Sequence, residues 1–309
     1  MSEPLPVDIV VRGFPALPPT EPARAHPWPQ RALLVDVCST RPRAGALAWG
    51  AYRLLGSCRE HVEGRFYHSG QVPAAEVEAV RRGLQDAHGL LEREAFLDQV
   101  LFRCVYKLPL RAALVAWDLP FSISRLARNV RVIRSKDGCL CYRFTLWTYV
   151  DDNGRERNDF YRPRIDITVA DAGRTLIQFT RRKEPDPQDL IPEGATRPRR
   201  RYVYRGRFLS LATAVYTLTG EELSLVEACH AFEVEQPPAG EPTPANLDVR
   251  LDAFAGLYQA VMAEFARWPG APYLAPDRAL SPSGVGKSLL AVARPQTRGR
   301  PRPGSAPRR

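Results

Sequence analysis

Acidic side chains at three places along the chain could hold divalent metal ions. Asp36 ends the first strongly apolar run, RALLVD, and Asp118 ends a second, AALVAWD. Asp248 and Asp252 lie in a late amphipathic segment. Pairs of metal ions about 4 Å apart catalyse phosphodiester cleavage, and such hard cations take carboxylate oxygens as ligands. One carboxylate is not enough, so this chemistry requires a fold that brings several acids together.

The stretch around Asp118 predicts a buried strand followed at once by a helix. Residues 112–117 are short, apolar and bounded by a polar residue, which is typical of a central strand. Pro120 suits the first turn of a helix, and the apolar residues that follow keep a helical spacing. Functional residues of α/β folds lie at the ends of parallel strands, so Asp118 is either such a residue or the N-cap of the helix.

The segments before Asp118 predict the architecture of the sheet. Strands are expected at 32–37, 46–55 and 64–68, close enough together for an antiparallel meander. From Pro73 the period becomes helical, and two helices are expected before residue 112, the second of which includes Leu90 and Leu91. This order predicts an α/β fold, a mixed sheet flanked by helices. A crossover of this length makes the strand before Asp118 parallel to the first strand, which places Asp36 and Asp118 at the same edge of the sheet.

The second half of the chain predicts an inserted β-hairpin region and then helices. The insertion covers about 131–202, and the dipeptide Asn153-Gly154 is a strong hairpin signal within it. A strand at 202–209 and two short helices follow, the second with a capping box of Ser224 and Glu227. A Pro/Gly loop is expected at 237–244, followed by a long amphipathic helix at 246–267. The expected organisation is a Pro-rich lead-in at 1–30, one domain at 31–270, and a disordered Pro/Arg-rich tail at 271–309.

The charge and the cysteines favour a cytoplasmic protein. The net charge is +10, but eight bases and no acid follow Asp277, which leaves 36 bases against 34 acids in the rest of the chain. The six cysteines include no C-x-x-C pair, so buried, reduced thiols are expected. No leader pattern and no apolar run of about 18 residues is present, so no membrane contact is expected.

Several segments together resemble a known protein family. They are RALLVDVCST, LAWGAYRLL, YKLPLRAALVAWDLPFSISRLA, YRPRIDITV, RGRFLSLATAVYTLTGEELSLVEACHAF, LYQAVMAEF and ALSPSGVGKSLL. In these segments the chain resembles the ribonuclease H-like, DEDD-type 3'-to-5' exonuclease region of family B-like DNA polymerases from bacteria and their mobile elements. The resemblance covers about residues 31–290. It implies a ribonuclease H-like mixed sheet and a metal-dependent nuclease as the parent activity.

The first two catalytic motifs of that family are degenerate here. The first motif, Asp-x-Glu, reads Asp36-Val37-Cys38, so the Asp matches and Cys38 replaces the Glu. The second, Asn-Leu-Pro-Phe-Asp, reads Asp118-Leu119-Pro120-Phe121-Ser122. Ser122 therefore stands at the ligand position, and Asp118 stands where the family has Asn.

The third motif, Tyr-x-x-x-Asp on the last helix, has also lost its ligand. Spacing back from Tyr258 puts Asn246 at the Tyr position and Arg250 at the Asp position. Asp248 and Asp252 lie roughly 200° to either side of residue 250 and are expected to point away from the site. A permanently cationic arginine in place of an anion would repel Mg²⁺.

The resemblance therefore implies a pseudoenzyme, a catalytically degenerate exonuclease-like domain that binds single-stranded DNA or another nucleic acid without cleaving it. No resident cofactor is expected. The residues expected to contact nucleic acid are Phe121, Arg125, Arg181, Arg182, Arg199, Arg200 and Arg201.

Two alternatives remain open. The first is an active metal-dependent 3'-to-5' exonuclease with a rearranged site, in which Asp36 and Asp118 are the residual catalytic residues and Asp36 binds Mg²⁺ or Mn²⁺. The second is a non-enzymatic module that binds a protein partner, or a remnant of a truncated polymerase.

Overall fold

The computed structural model describes residues 28–40, 45–56, 62–84, 89–107, 110–134, 140–159, 162–163, 165–169, 176–179 and 207–267. The predicted tail, nearly all of the predicted lead-in, and the arginines expected to bind nucleic acid at 181–201 lie outside these residues.

The described chain contains twelve strands and six helices. The strands are β1 (Ala32–Ser39), β2 (Leu47–Leu55), β3 (Glu63–Tyr67), β4 (Leu90–Glu92), β5 (Ala113–Ala116), β6 (Asn129–Arg134), β7 (Leu140–Thr145), β8 (Thr148–Val150), β9 (Glu156–Asn158), β10 (Ile165–Val169), β11 (Leu176–Phe179) and β12 (Arg207–Ser210). The helices are α1 (Ala74–Gly83), α2 (Arg93–Ala95, continued with π-type hydrogen bonding over Phe96–Tyr106), α3 (Leu119–Leu126), α4 (Leu211–Thr219), α5 (Leu225–Ala231) and α6 (Leu247–Arg267).

A mixed sheet of six strands forms the centre of the α/β fold, in the order β12-β5-β1-β2-β3-β4. The strands β1, β2 and β3 form the predicted antiparallel meander. On the other side of β1, strand β5 runs parallel to it, as the long crossover predicts, and β12 runs parallel to β5. The prediction of an α/β mixed sheet flanked by helices is confirmed.

The sheet is buried on both faces, which explains why β1 reads as an almost continuous apolar run. Ala32 and Leu34 face a core that also contains Phe254 of α6. Leu33 and Val35 face a second core, built largely on α2 and α3. Strand β1 therefore holds its side chains between two helical layers.

The prediction was wrong at Leu90 and Leu91, which were expected to continue a helix. They lie in strand β4, which pairs in parallel with β3. A short apolar run does not distinguish a strand from a buried helical segment, and pairing with a distant strand decided the outcome. The helix α2 begins only at Arg93.

The inserted region contains the predicted hairpin. Strands β8 and β9 pair in antiparallel fashion, and Gly154 in their turn has a φ of 72°, a conformation that glycine adopts without strain. Oδ1 of Asp151 accepts hydrogen bonds from the backbone N–H groups of Asn153 and Arg155. The other strands of the insertion form a sheet in the order β11-β10-β7-β6, and the described β structure begins at Asn129.

The capping box is confirmed, because Ser224 and Glu227 exchange hydrogen bonds at the start of α5. Cys38, Cys104 and Cys229 are buried and form no disulfide with any cysteine that the structure describes, in agreement with the expectation of buried, reduced thiols. None of the helices among the described residues is long and apolar enough to cross a membrane.

Candidate functional site

Asp36 lies near the carboxyl end of β1 and is only 5% exposed. Side chains alternate along a strand, so Asp36 lies on the same face as Leu34 and Cys38, the face covered by α6. A carboxylate at such a position requires a charged or hydrogen-bonding partner, because burying an unpaired charge is costly.

The partner of Asp36 is Arg250 of α6. Nε of Arg250 donates to Oδ2 of Asp36 over 2.6 Å, and both side chains are 7% exposed. Oδ1 of Asp36 accepts the N–H of Val37 at 3.0 Å. Burial raises the pKa of Asp36, while the Arg250 guanidinium and the Val37 N–H act in the opposite direction. Both carboxylate oxygens of Asp36 are thus already bonded within the protein.

Cys38 is a buried thiol that lies beside this ion pair. Burial raises its pKa to about 11, and the negative charges of Asp36 and Glu76 act in the same direction. The thiol is therefore protonated at neutral pH, whereas metal binding and nucleophilic attack require the thiolate.

Asp118 is the N-cap of helix α3. Its Oδ1 accepts the N–H of Phe121 at 3.0 Å, and Pro120 stands in the first helical turn. The residue as a whole is exposed, but the surrounding protein partly desolvates its carboxyl group, and this desolvation raises the pKa of Asp118. The parallel pairing of β1 and β5 brings Asp36 and Asp118 to the same edge of the sheet, as predicted. The hydrogen bond from the Phe121 N–H to the Asp118 carboxylate nevertheless caps helix α3.

Ser122 lies one helical turn after this cap and is buried, at 4% exposure. Its backbone N–H donates to the carbonyl oxygen of Asp118 at 3.0 Å, within the helix α3. The position that carries a carboxylate in the family that the chain resembles therefore carries a short neutral hydroxyl.

Asp248 and Asp252 point away from Asp36, as predicted from their angular positions on the helix. Asp248 forms an ion pair with Arg65 of β3, and Asp252 forms one with Arg53 of β2. These two ion pairs connect α6 to strands β3 and β2 of the meander.

A small cavity opens at the carboxyl end of β1. It has a volume of about 200 Å³ and lies between residues 37–39, the ring of Phe121 and the segment 241–244. The guanidinium of Arg125 stacks on the Phe121 ring at 4.7 Å, which brings together two of the residues predicted to bind nucleic acid.

The segment 240–244 and its contacts were not predicted from the sequence, which marked these residues only as a Pro/Gly loop. Nη1 of Arg250 donates to the carbonyl oxygen of Gly240, and Nδ2 of Asn246 donates to that of Glu241. The one available signal was the position of Asn246 and Arg250 at the degenerate third motif.

The residues at the motif positions do not fit a divalent metal pair. Asp36 is bonded to Arg250, and Cys38 and Ser122 supply no anionic oxygen. Within the described part of the chain, no group of three or more His, Cys, Asp or Glu side chains could hold a metal ion.

No protein-family model matches the chain, and no curated protein matches it either.

Proposed function

We propose that this protein is a catalytically degenerate, ribonuclease H-like exonuclease domain that binds nucleic acid without cleaving it. The observation that carries the proposal is the buried ion pair of Arg250 with Asp36. The one acid that keeps its motif position is bonded to the arginine that stands at a lost ligand position.

The charge of Arg250 supports the loss of metal chemistry. A guanidinium stays protonated at all physiological pH values and presents donors that match a carboxylate. It supplies to Asp36 the positive charge that a metal ion would supply, and it would repel a second cation. Arg250 therefore neutralises the buried carboxylate of Asp36 without a metal ion.

The sheet supports the ribonuclease H-like part of the proposal. The meander of β1, β2 and β3 continues through β1 into the parallel strands β5 and β12, with helices on both faces. This arrangement is the one that the resemblance implies. The candidate site lies at the carboxyl end of β1, where α/β folds carry ligands.

The pair of Phe121 and Arg125 supports nucleic-acid binding. Phe121 is half-buried at the cavity, and Arg125 stacks on its ring. Aromatic rings stack with unpaired bases at about 1–3 kcal/mol per base, and arginine adds attraction for phosphate. Single strands, whose bases are accessible, fit such a site better than a duplex.

A gel-shift assay with single-stranded DNA and RNA at two salt concentrations tests the binding. We expect binding that weakens as salt rises, and weaker binding by Phe121→Ala and Arg125→Ala. Arg81→Ala is the matched control, because Arg81 is an exposed arginine whose ion pair is with Glu78 of its own helix, α1. An absence of binding at low salt would exclude the function.

A cleavage assay with labelled strands and Mg²⁺ or Mn²⁺ tests the other half of the proposal. We expect intact strands. Cleavage that both Asp36→Ala and Asp118→Ala abolish would instead establish the rearranged nuclease. Co-purification of a stoichiometric protein partner, with no nucleic-acid binding, would favour a protein-interaction module.

A further inference from the structure

The segment 240–244 lies across the carboxyl end of β1. Residues 241–244 form one side of the 200 Å³ cavity, and Val37, Cys38 and Ser39 form the other together with Phe121. Ligand sites usually have volumes of about 300–1,000 Å³, so this cavity is small for a ligand the size of a nucleotide. A ligand of that size would fit wholly within the cavity only if the segment moved away from β1.

Two residues hold the segment in place: Asn246, which directly precedes α6, and Arg250, which lies within α6. The side chain of Asn246 donates to the Glu241 carbonyl at 3.3 Å and accepts the N–H of Thr243 at 2.7 Å. Arg250 donates to the Gly240 carbonyl at 3.3 Å while it is paired with Asp36. The backbone of the segment is therefore bonded at three residues, Gly240, Glu241 and Thr243.

The backbone conformation of Gly240 allows the segment to turn. Its φ is 108°, a value that residues with a side chain rarely adopt, and no heavy atom lies within 4 Å of a Cβ placed there. An alanine at this position would therefore act through backbone strain and not through a clash.

We propose that segment 240–244 is a strap that closes the cavity at the end of β1, and that Asn246 and Arg250 are its latch. The two residues that stand at the Tyr and Asp positions of the degenerate third motif thus control access to the former catalytic face. The identity of the ligand as nucleic acid rests on the proposed function.

The accessibility of Cys38 tests the strap without any ligand. Cys38 lies beneath the strap, so its alkylation by iodoacetamide, followed by peptide mass spectrometry at one mildly alkaline pH, measures opening. Asn246→Ala removes two hydrogen bonds and is expected to raise the alkylation rate about tenfold. Gly240→Ala opens the strap from its other end and is expected to raise the rate as well.

Two controls separate strap opening from general loosening. Asp252→Ala alters an exposed ion pair on the same helix and is expected to leave the Cys38 rate unchanged. Cys104, which is buried in the other core, is the internal reference in every variant. An unchanged Cys38 rate in both strap variants, or equal acceleration of Cys38 and Cys104 in both, would overturn the strap.

Oligonucleotide affinity of the same variants distinguishes failure of the strap from failure of the proposed function. Faster Cys38 alkylation together with tighter oligonucleotide binding supports both proposals. Faster alkylation with no binding by any variant retains the strap and refutes nucleic acid as the ligand. Binding by the wild type with an unchanged Cys38 rate in both variants retains the function and refutes the strap.

Discussion

Arg250 on helix α6 donates from Nε to Oδ2 of Asp36 on strand β1 over 2.6 Å, although 214 residues separate the two in the chain. The pair links the longest described helix to the central strand of the sheet. Because both groups are buried, each is tolerated only in the presence of the other. The pair therefore behaves as one unit in stability.

Replacing one member of the pair is expected to be far more damaging than replacing both. Arg250→Met leaves the Asp36 carboxylate buried without its partner and should lower the free energy of unfolding by about 3–5 kcal/mol. The double variant Asp36→Leu with Arg250→Met removes both charges and should recover most of this loss. Urea denaturation of the wild type, the single variant and the double variant measures the difference.

The exposed pair of Arg53 and Asp252 provides the control for that experiment. Asp252 is 59% exposed in this pair, so Asp252→Ala should cost less than about 1 kcal/mol. A double variant as unstable as Arg250→Met alone would show that the loss comes from packing and not from the unpaired charge.

The cost of Arg250→Met should depend on pH. Burial raises the pKa of Asp36, so the folded state holds the proton more tightly than the unfolded state does. Stability contributed by this group is therefore lost as pH rises from the ordinary Asp pKa through the raised one. Removing Arg250 raises the pKa of Asp36 further, because the attraction that opposes burial is lost.

Unfolding free energies at several pH values measure this dependence. The gap between the wild type and Arg250→Met should be largest at neutral pH and should shrink at acidic pH, where Asp36 is protonated. Addition of Asp36→Asn to Arg250→Met should remove the dependence. A gap that stays constant across the acidic range would contradict the assignment to Asp36.

The sequence predicts the sheet well because its strands are strongly apolar and their spacing restricts the connections. It fails at Leu90, where a short apolar run becomes a strand only by pairing with β3. Spacing from Tyr258 placed Arg250 at the position where the family that the chain resembles has a ligand. The bond to Asp36 could not be predicted in the same way, because it depends on how α6 packs on β1.

Segment 240–244 shows a second limit of prediction from sequence. Its prolines and Gly240 interrupt any helical or strand periodicity, so the sequence predicts a loop but does not predict which residues the loop contacts. The bonds that position it come from Asn246 and Arg250, side chains whose directions are set by the packing of α6. Contacts of this kind follow from tertiary structure alone.

Asp118 should behave as a helix cap and not as a metal ligand. Asp118→Ala removes the acceptor for the Phe121 N–H and should cost about 1 kcal/mol of stability. Asp118→Asn should be nearly neutral, because asparagine caps helices as well as aspartate does. Thermal and urea unfolding measure both variants. Equal loss in Ala and Asn variants would show that the negative charge of Asp118, and not its capping bond, is what matters.

Carboxylates at the three positions where the chain departs from the motifs of the family that it resembles should create a metal site at the end of β1. The triple variant Cys38→Glu, Ser122→Asp and Arg250→Asp places three further acids around Asp36, at the positions that the resemblance assigns to ligands. Without metal, mutual repulsion of buried carboxylates should make the variant less stable than the wild type. Mn²⁺ should restore stability, by about 2.7 kcal/mol at a concentration 100 times the dissociation constant.

The double variant Cys38→Glu with Ser122→Asp is the matched control for this experiment. The double variant adds two acids but keeps the guanidinium of Arg250 on Asp36, so the site retains a fixed positive charge. Mn²⁺ should therefore raise the melting temperature of the double variant less than that of the triple variant. Differential scanning fluorimetry with Mn²⁺ and with EDTA measures all three proteins. The proposal of a degenerate site would fail if the wild type itself gained stability from Mn²⁺ and Asp36→Asn removed that gain, because Asp36 would then bind a metal ion despite Arg250.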